Sequence, residues 1–281
     1  MLANVSVPSI SVIIPAYNEE ATIERVVGQT DRVLQAIARD YEIVVLDDGS
    51  TDGTWAAMNR ARGVSPRIRL LRNRANMGIG QALMPLVRAS RKDLVFMLPG
   101  DGQIPPSELQ RLLPLAGRFE LVNGVRSPRR DPAHRRLLGC VFNLVISALG
   151  GVSVRDVDSS TLYRGDLVRA LPVMSRGAFV HAELFLRSVR AGARVSEVRI
   201  AHRPREAGRP TGAQVRVILG AAKDLLRYVR AERRRGGGSG VRAMGGPYAP
   251  GAMEHPTPPS RVREASYFAE APKDKSSGKV E

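Results

Sequence analysis

Several short polar clusters in this chain carry side chains with chemical capacity. The first, Pro15-Ala16-Tyr17-Asn18-Glu19-Glu20, offers a flat aromatic ring and a carboxylate. Tyr17 can flank or stack on a nucleobase, and Glu19 can accept a hydrogen bond from a ribose or base donor. The second, Leu46-Asp47-Asp48-Gly49-Ser50, sets two carboxylates side by side, which is costly unless something offsets their charge. One of them can accept from a base N–H while the other braces its own loop. The third is Gly100-Asp101-Gly102-Gln103, where Asp101 and Gln103 supply hard oxygen ligands. Such a pair suits Mg²⁺ or Mn²⁺ held mainly through a substrate's phosphates. The ion would neutralise a diphosphate leaving group as charge develops on it. The fourth holds Asp156 and Asp158, two apart on a segment read as extended, so that both face one side. One of them can take a proton from an acceptor hydroxyl or orient an acceptor phosphate through a cation.

Basic side chains accompany these clusters: Arg126, Arg129 and Arg130, then His202, Arg203, Arg205 and Arg209. Arginine forks suit bidentate phosphate contacts. Each cluster also has an ordinary structural reading, as a proline turn, an Asp-rich cap, a glycine turn, a salt bridge or a solvated charged face. Glu183 sits in an otherwise apolar helical stretch and so requires a partner. His181 and Cys140 show no supporting pattern and read as structural.

The elements that must position these groups alternate. Short apolar, β-branched runs at 10–14, 42–46, 67–71, 93–98 and 120–123 read as strands. Helical spacing occupies 20–38, 81–90 and 106–115, and a further helix follows Thr51 or Asp52, either of which can cap it, through Arg62. Strand–helix alternation predicts a mostly parallel sheet covered on both faces. In such sheets ligands sit at the carboxyl ends of the strands, where the first three clusters fall. Further on, 137–149 is apolar on most sides, 179–191 is helical, 194–201 is a strand and 215–234 is an amphipathic helix with a basic end. The expected organisation is one domain over 1–232. It is followed by a disordered, basic, Gly/Pro-rich tail over 233–281, too poor in large apolar residues to offset its ordering entropy.

The chain has 281 residues, 43% hydrophobic and 25% charged, enough for a sizeable core. A single cysteine rules out an internal disulfide. No apolar run reaches the roughly 18–20 residues of a membrane span, and residues 1–8 do not read as a signal peptide. The expectation is a cytoplasmic protein, peripheral at the cytoplasmic membrane face. The formal charge of +16 favours polyanionic partners. Aromatic residues at 5% leave little material for stacking on single-stranded nucleic acid, which is not expected as a partner.

Taken together, Ser11-Val-Ile-Ile-Pro-Ala-Tyr-Asn-Glu-Glu20, the stretch 41–54, Asn76-x-Gly-x-Gly80, Gly100-Asp-Gly-Gln103 and Val154-Arg-Asp-Val-Asp158 resemble the family 2 glycosyltransferases. Within them the likeness is to dolichyl- or polyprenyl-phosphate sugar synthases, and it covers about residues 9–230. The resemblance implies a GT-A-type nucleotide-sugar-binding α/β fold, a mostly parallel central sheet flanked by helices. It implies inverting transfer from a nucleotide-diphosphate sugar to a polyprenyl phosphate, with Mg²⁺ or Mn²⁺ on the diphosphate. By position, Pro15, Tyr17, Glu19, Asp47, Asp48 and Gly100 would serve the donor, and Asp101 and Gln103 the metal. Asp156 or Asp158 would serve the acceptor side, and Arg126, Arg203 and Arg205 would contact phosphates. The sequence departs from the pattern where Pro99 stands in place of the first metal-motif aspartate, and where Ser159-Ser160-Thr161 replaces a glycine–aromatic pair. Transfer to a soluble or protein acceptor, or a non-catalytic nucleotide-sugar-binding protein, are the rival readings.

Overall fold

The computed structural model describes residues 8–128, 133–206 and 215–236, within a unit spanning Met1–Gly245. The first half alternates as its periodicity predicts. Strand β1 (Ile10–Ala16) leads to helix α1 (Ile23–Ile37), β2 (Tyr41–Asp47) to α2 (Thr54–Arg62), and β3 (Ile68–Arg72) to α3 (Ile79–Ala89). Strand β4 (Leu94–Met97) is followed by a helical stretch containing α4 (Leu109–Leu112) and by β5 (Leu121–Arg126). The second half holds α5 (Ala133–Gly150), β6 (Thr161–Arg164), α6 (Gly165–Ala170), α7 (Val180–Arg190), β7 (Val195–Ile200) and α8 (Val215–Gly236). Helix α8 runs past the expected domain boundary at 232. The expected tail lies, from 237 on, outside the described residues.

One sheet of seven strands runs in the order β3-β2-β1-β4-β6-β5-β7. Strand β6 is antiparallel to both its neighbours, β4 and β5, and every other pairing is parallel. Alternation along β1 explains why its residues are apolar on both faces, Ser11 excepted. Ile10, Val12 and Ile14 pack under α1 and α2, while Ile13 joins Val44 and Leu46 under α3 and α7. With both faces covered, a strand gains from apolar residues at every position.

Two sequence expectations are revised here. Thr51 does not cap α2. Asp52 does bind its first amide, from Thr54 N to Oδ1 at 3.0 Å. Residues 154–160 are a turn rather than an extended segment, with Ser159 N donating to Asp156 O at 3.2 Å. Alternation therefore does not apply. Asp156 is buried whereas Asp158 is exposed, so the two carboxylates do not share a face.

Candidate active site

The parallel strands end at one edge, and the loops leaving β1, β4 and β7 meet there. Their contact is ionic. Arg205, five residues past the end of β7, places its guanidinium 2.9 Å from Asp101 Oδ2 and 3.4 Å from Glu19 Oε1. Asp101 is prepared for this role by its own loop, since its Oδ1 accepts the Gln103 amide at 3.0 Å. Glu19 is prepared by α2, because Thr54 Oγ1 accepts its backbone N–H at 2.8 Å. Burial pushes the Glu19 carboxyl up to about 7, against the pull of Arg205 and with help from the negative charge of Asp101. Thr22 ties the two loops by donating its hydroxyl to Gly100 O at 2.9 Å. Gly100 itself lies under Pro15, where a Cβ would stand 3.1 Å from the Pro15 carbonyl oxygen.

Gln103 and Arg203 form a clasp between the β4 and β7 loops. Arg203 N donates to Gln103 O at 2.7 Å, and Gln103 Nε2 donates to Arg203 O at 3.3 Å. The Gln103 side chain is thus turned along the β7 loop. Tyr17 stands at the rim, 36% exposed. The loop behind it is stitched to the β2 turn by Asn18, whose N–H donates to Ser50 Oγ at 2.9 Å and whose Oδ1 accepts from Thr51 N at 2.9 Å.

Asp47 and Asp48 are brought close to this edge, but their oxygens serve the scaffold. Asp47 is fully buried, accepts the Ser50 amide at 2.9 Å and pairs with Arg72 at 3.0 Å. Asp48 Oδ1 accepts from Asn73 Nδ2 at 2.7 Å and Met77 N at 3.0 Å, and Oδ2 accepts from Gly78 N at 2.9 Å. That grip presses the β2 turn onto the loop before α3. At Gly49, with φ of 69°, a Cβ would fall 2.3 Å from the Ala75 carbonyl carbon. No larger residue fits without moving backbone.

A second cluster gathers at the ends of β5 and α7. Arg126 binds Asp156 through two parallel bonds of 2.7 Å each, and its backbone N–H adds a third at 3.1 Å. Asp156 is therefore the anchor of Arg126, and the exposed Asp158 takes no part in these three bonds. Because β5 and β7 are parallel, with Arg126 opposite Ile200, Arg126 emerges at the same edge as Arg203 and Arg205. Arg129, Arg130 and Arg209 lie outside the described residues.

Sequence reasoning set His181 aside as structural, yet it lies beside this cluster. Burial and the Arg126 charge hold its imidazole down to about 4 from the ordinary 6.5. The fold accommodates the neutral ring. That contribution is fully present above about pH 6.5 and is lost as pH falls from there toward 4. At full effect it is worth roughly 3 kcal/mol. Thermal unfolding of the wild type from pH 7 to 4 should therefore fall more steeply than that of His181→Asn. Parallel curves would show that the ring is not protected.

Among the described residues no group of three or more His, Cys, Asp and Glu side chains gathers to hold a metal. The Arg205 guanidinium sits between two carboxylates. Asp101 and Glu19 offer hard oxygens there, and a diphosphate would supply the remaining ligands of a Mg²⁺ or Mn²⁺ ion.

Sequence comparison places this edge in a family. Residues 11–137 match the family described as Glycosyl transferase family 2, and that span contains Glu19, Asp48 and Asp101. The GT-A fold of the chain agrees with that match. Similar solved structures include glucosyl-3-phosphoglycerate synthase from Mycobacterium tuberculosis in complex with Mn²⁺, uridine diphosphate and phosphoglyceric acid. Its TM-score is 0.64 at 23% identity, over 78% of each chain. A second structure of that synthase, with Mg²⁺ and uridine diphosphate, gives a TM-score of 0.63 at 22% identity, over 78% of this chain and 79% of that one. Among curated relatives, the undecaprenyl-phosphate 4-deoxy-4-formamido-L-arabinose transferases of Pseudomonas fluorescens and Pseudomonas aeruginosa are each 32% identical over 216 residues. Those alignments cover 74% of this chain and 62% of the relatives' length. The matched span thus carries its motifs on the loops that meet at Asp101. No helix among the described residues is long and apolar enough to cross a membrane.

Proposed function

We propose that this chain is an inverting glycosyltransferase that moves a sugar from a nucleotide-diphosphate donor to a polyprenyl phosphate at the cytoplasmic membrane face. The observation that carries the reading is the Asp101–Arg205–Glu19 cluster at the carboxyl edge of a family 2 domain. The 32% identity to undecaprenyl-phosphate sugar transferases supports the choice of acceptor.

Each residue has a role in that reaction. Pro15, Tyr17 and Gly100 line the nucleoside, while Asp47 and Asp48 shape its pocket by fixing the β2 turn. A divalent ion, Mg²⁺ or Mn²⁺, bound by Asp101 with Gln103 nearby, would neutralise the departing diphosphate. Arg205 holds positive charge at the same point before the donor arrives. An oxygen of the acceptor phosphate attacks the anomeric carbon from the face opposite the diphosphate. The new C–O bond forms as the bond to the diphosphate breaks, and the nucleoside diphosphate leaves. The acceptor is already an anion, so it needs charge neutralisation more than a general base. Arg126, aimed by Asp156, and Arg203 meet that need. The buried Asp156 acts by positioning Arg126. The exposed row Leu137, Val141 and Leu144 on α5 lies in the membrane interface beside the acceptor.

Incubation with radiolabelled nucleotide sugar and polyprenyl phosphate tests the reading. It predicts label in an organic-extractable, mild-acid-labile product. Label confined to the aqueous phase would reject the lipid acceptor and favour a soluble one.

A further inference from the structure

A cleft of about 570 Å³ opens between the loop before α7 and the C-terminal half of α8. Met174 and Arg176 line one wall, and Arg227, Arg230, Ala231 and Arg234 line the other. Arg227 pairs with Asp224 at 3.4 Å. Arg176, Arg230 and Arg234 are exposed and have no carboxylate partner among the described residues. Three uncompensated guanidiniums facing one space make an anion site in need of an anion.

The walls are fixed. Glu183 accepts the backbone amides of Met174 at 3.1 Å and Ser175 at 2.7 Å, and Asp224 accepts that of Gly177 at 3.3 Å. On the other side, Tyr228 packs on Phe179 with ring centroids 5.9 Å apart, and Glu232 pairs with Arg187 and Arg190. The guanidiniums therefore stand on a preformed frame.

The surroundings indicate which anion. Leu219, Leu226 and Arg230 fall at i, i+7 and i+11, one face of α8, and the leucines are 64% and 56% exposed. Exposed leucines interleaved with basic residues on one helix face suit the interface of an anionic bilayer. Phe142 of α5 meets the same Phe179 edge-on, with centroids 6.4 Å apart, so α5, which carries another set of exposed apolar residues, packs beside the same end of α7.

We propose that this cleft binds the phosphate of an anionic phospholipid headgroup while the leucines of α8 enter the interface, seating the domain on the membrane. The inference rests on the proposed lipid acceptor, which obliges the enzyme to work at a bilayer. The test uses the full chain and phosphatidylcholine vesicles with or without phosphatidylglycerol, containing no polyprenyl phosphate. Wild type should bind the phosphatidylglycerol vesicles, and the variant R176Q/R230Q/R234Q should bind them roughly 100-fold more weakly. R39Q/R62Q/R88Q removes the same charge from exposed positions elsewhere and should bind within a few-fold of wild type. Equal losses in the two variants, or none in the first, would overturn the cleft. A rise in unfolding temperature with inorganic phosphate alone, present in wild type and absent in the cleft variant, would reassign the site to a soluble phosphate. Transfer to detergent-dispersed polyprenyl phosphate should be unchanged in the cleft variant, which confirms its folding. Failure of wild type in that assay would instead indict the proposed function.

Discussion

Replacing Asp101 by asparagine is expected to lower the rate of sugar transfer by a factor of about 10²–10³ while leaving the unfolding temperature within a few degrees of wild type. The asparagine carbonyl oxygen would still accept the Gln103 amide, so the loop keeps its shape. The variant would lose the negative charge that faces Arg205 at 2.9 Å and that would hold a divalent ion on the donor diphosphate. The loop lies at a strand end and the Asp101–Arg205 pair is partly open to solvent, so little stability rides on it. Steady-state kinetics at saturating donor, beside a melting curve, decide the matter. Activity within tenfold of wild type in a folded variant would remove Asp101 from the chemistry.

The largest effect on stability is expected at Glu183. Its side chain, 1% exposed, accepts from Met174 N, Ser175 N, Ser175 Oγ and Arg187 Nε. Glu183→Ala deletes all of these and leaves the buried Arg187 with Glu232, at 3.3 Å, as its one carboxylate among the described residues, beside the Tyr228 ring. Breaking one side of a buried ion pair costs about 3–5 kcal/mol, because the remaining charge is stranded out of water. In a domain of this size that amounts to a fall of roughly 10 °C in Tm. Denaturant unfolding should show the loss at unchanged m-value. A cost below about 1 kcal/mol would mean that Arg187 finds water or another partner without strain.

The parts of this molecule that announce themselves in sequence are those whose cause is local. The run at β1 is apolar at every position but Ser11 because both faces are covered, and the amphipathic pattern of α8 follows from packing one side on Phe179. Glu183, conspicuous in an apolar helix, did require a partner, and Arg187 lies one turn away at 2.7 Å. Strand β6 escaped the reading because four residues, Thr161–Arg164, become a strand only through their pairing with β4 and β5. The error at Asp156 and Asp158 has the same root, since period-two reasoning presumes an extended backbone that the 154–160 turn lacks. At the site, Asp101 was legible from its glycine-flanked place after a strand. Its bond to Arg205 spans 104 positions and leaves no local trace. The one available hint was Pro99, which leaves the loop short of a carboxylate and open to a charge from elsewhere.

The clasp between Gln103 and Arg203 bears on how the site comes into being. Its two halves are separated by 100 positions, and Arg205 lies beyond the last strand of the sheet. On the ribosome, β1 through β4 can pair long before residue 205 emerges, so an emerging chain reaches most of its sheet with the Asp101–Arg205 contact still unmade. A fragment ending at residue 137 would contain the whole span matched to the family and yet leave Asp101 facing water. The ionic cluster at Asp101 is complete only once β7 and the few residues after it are in place.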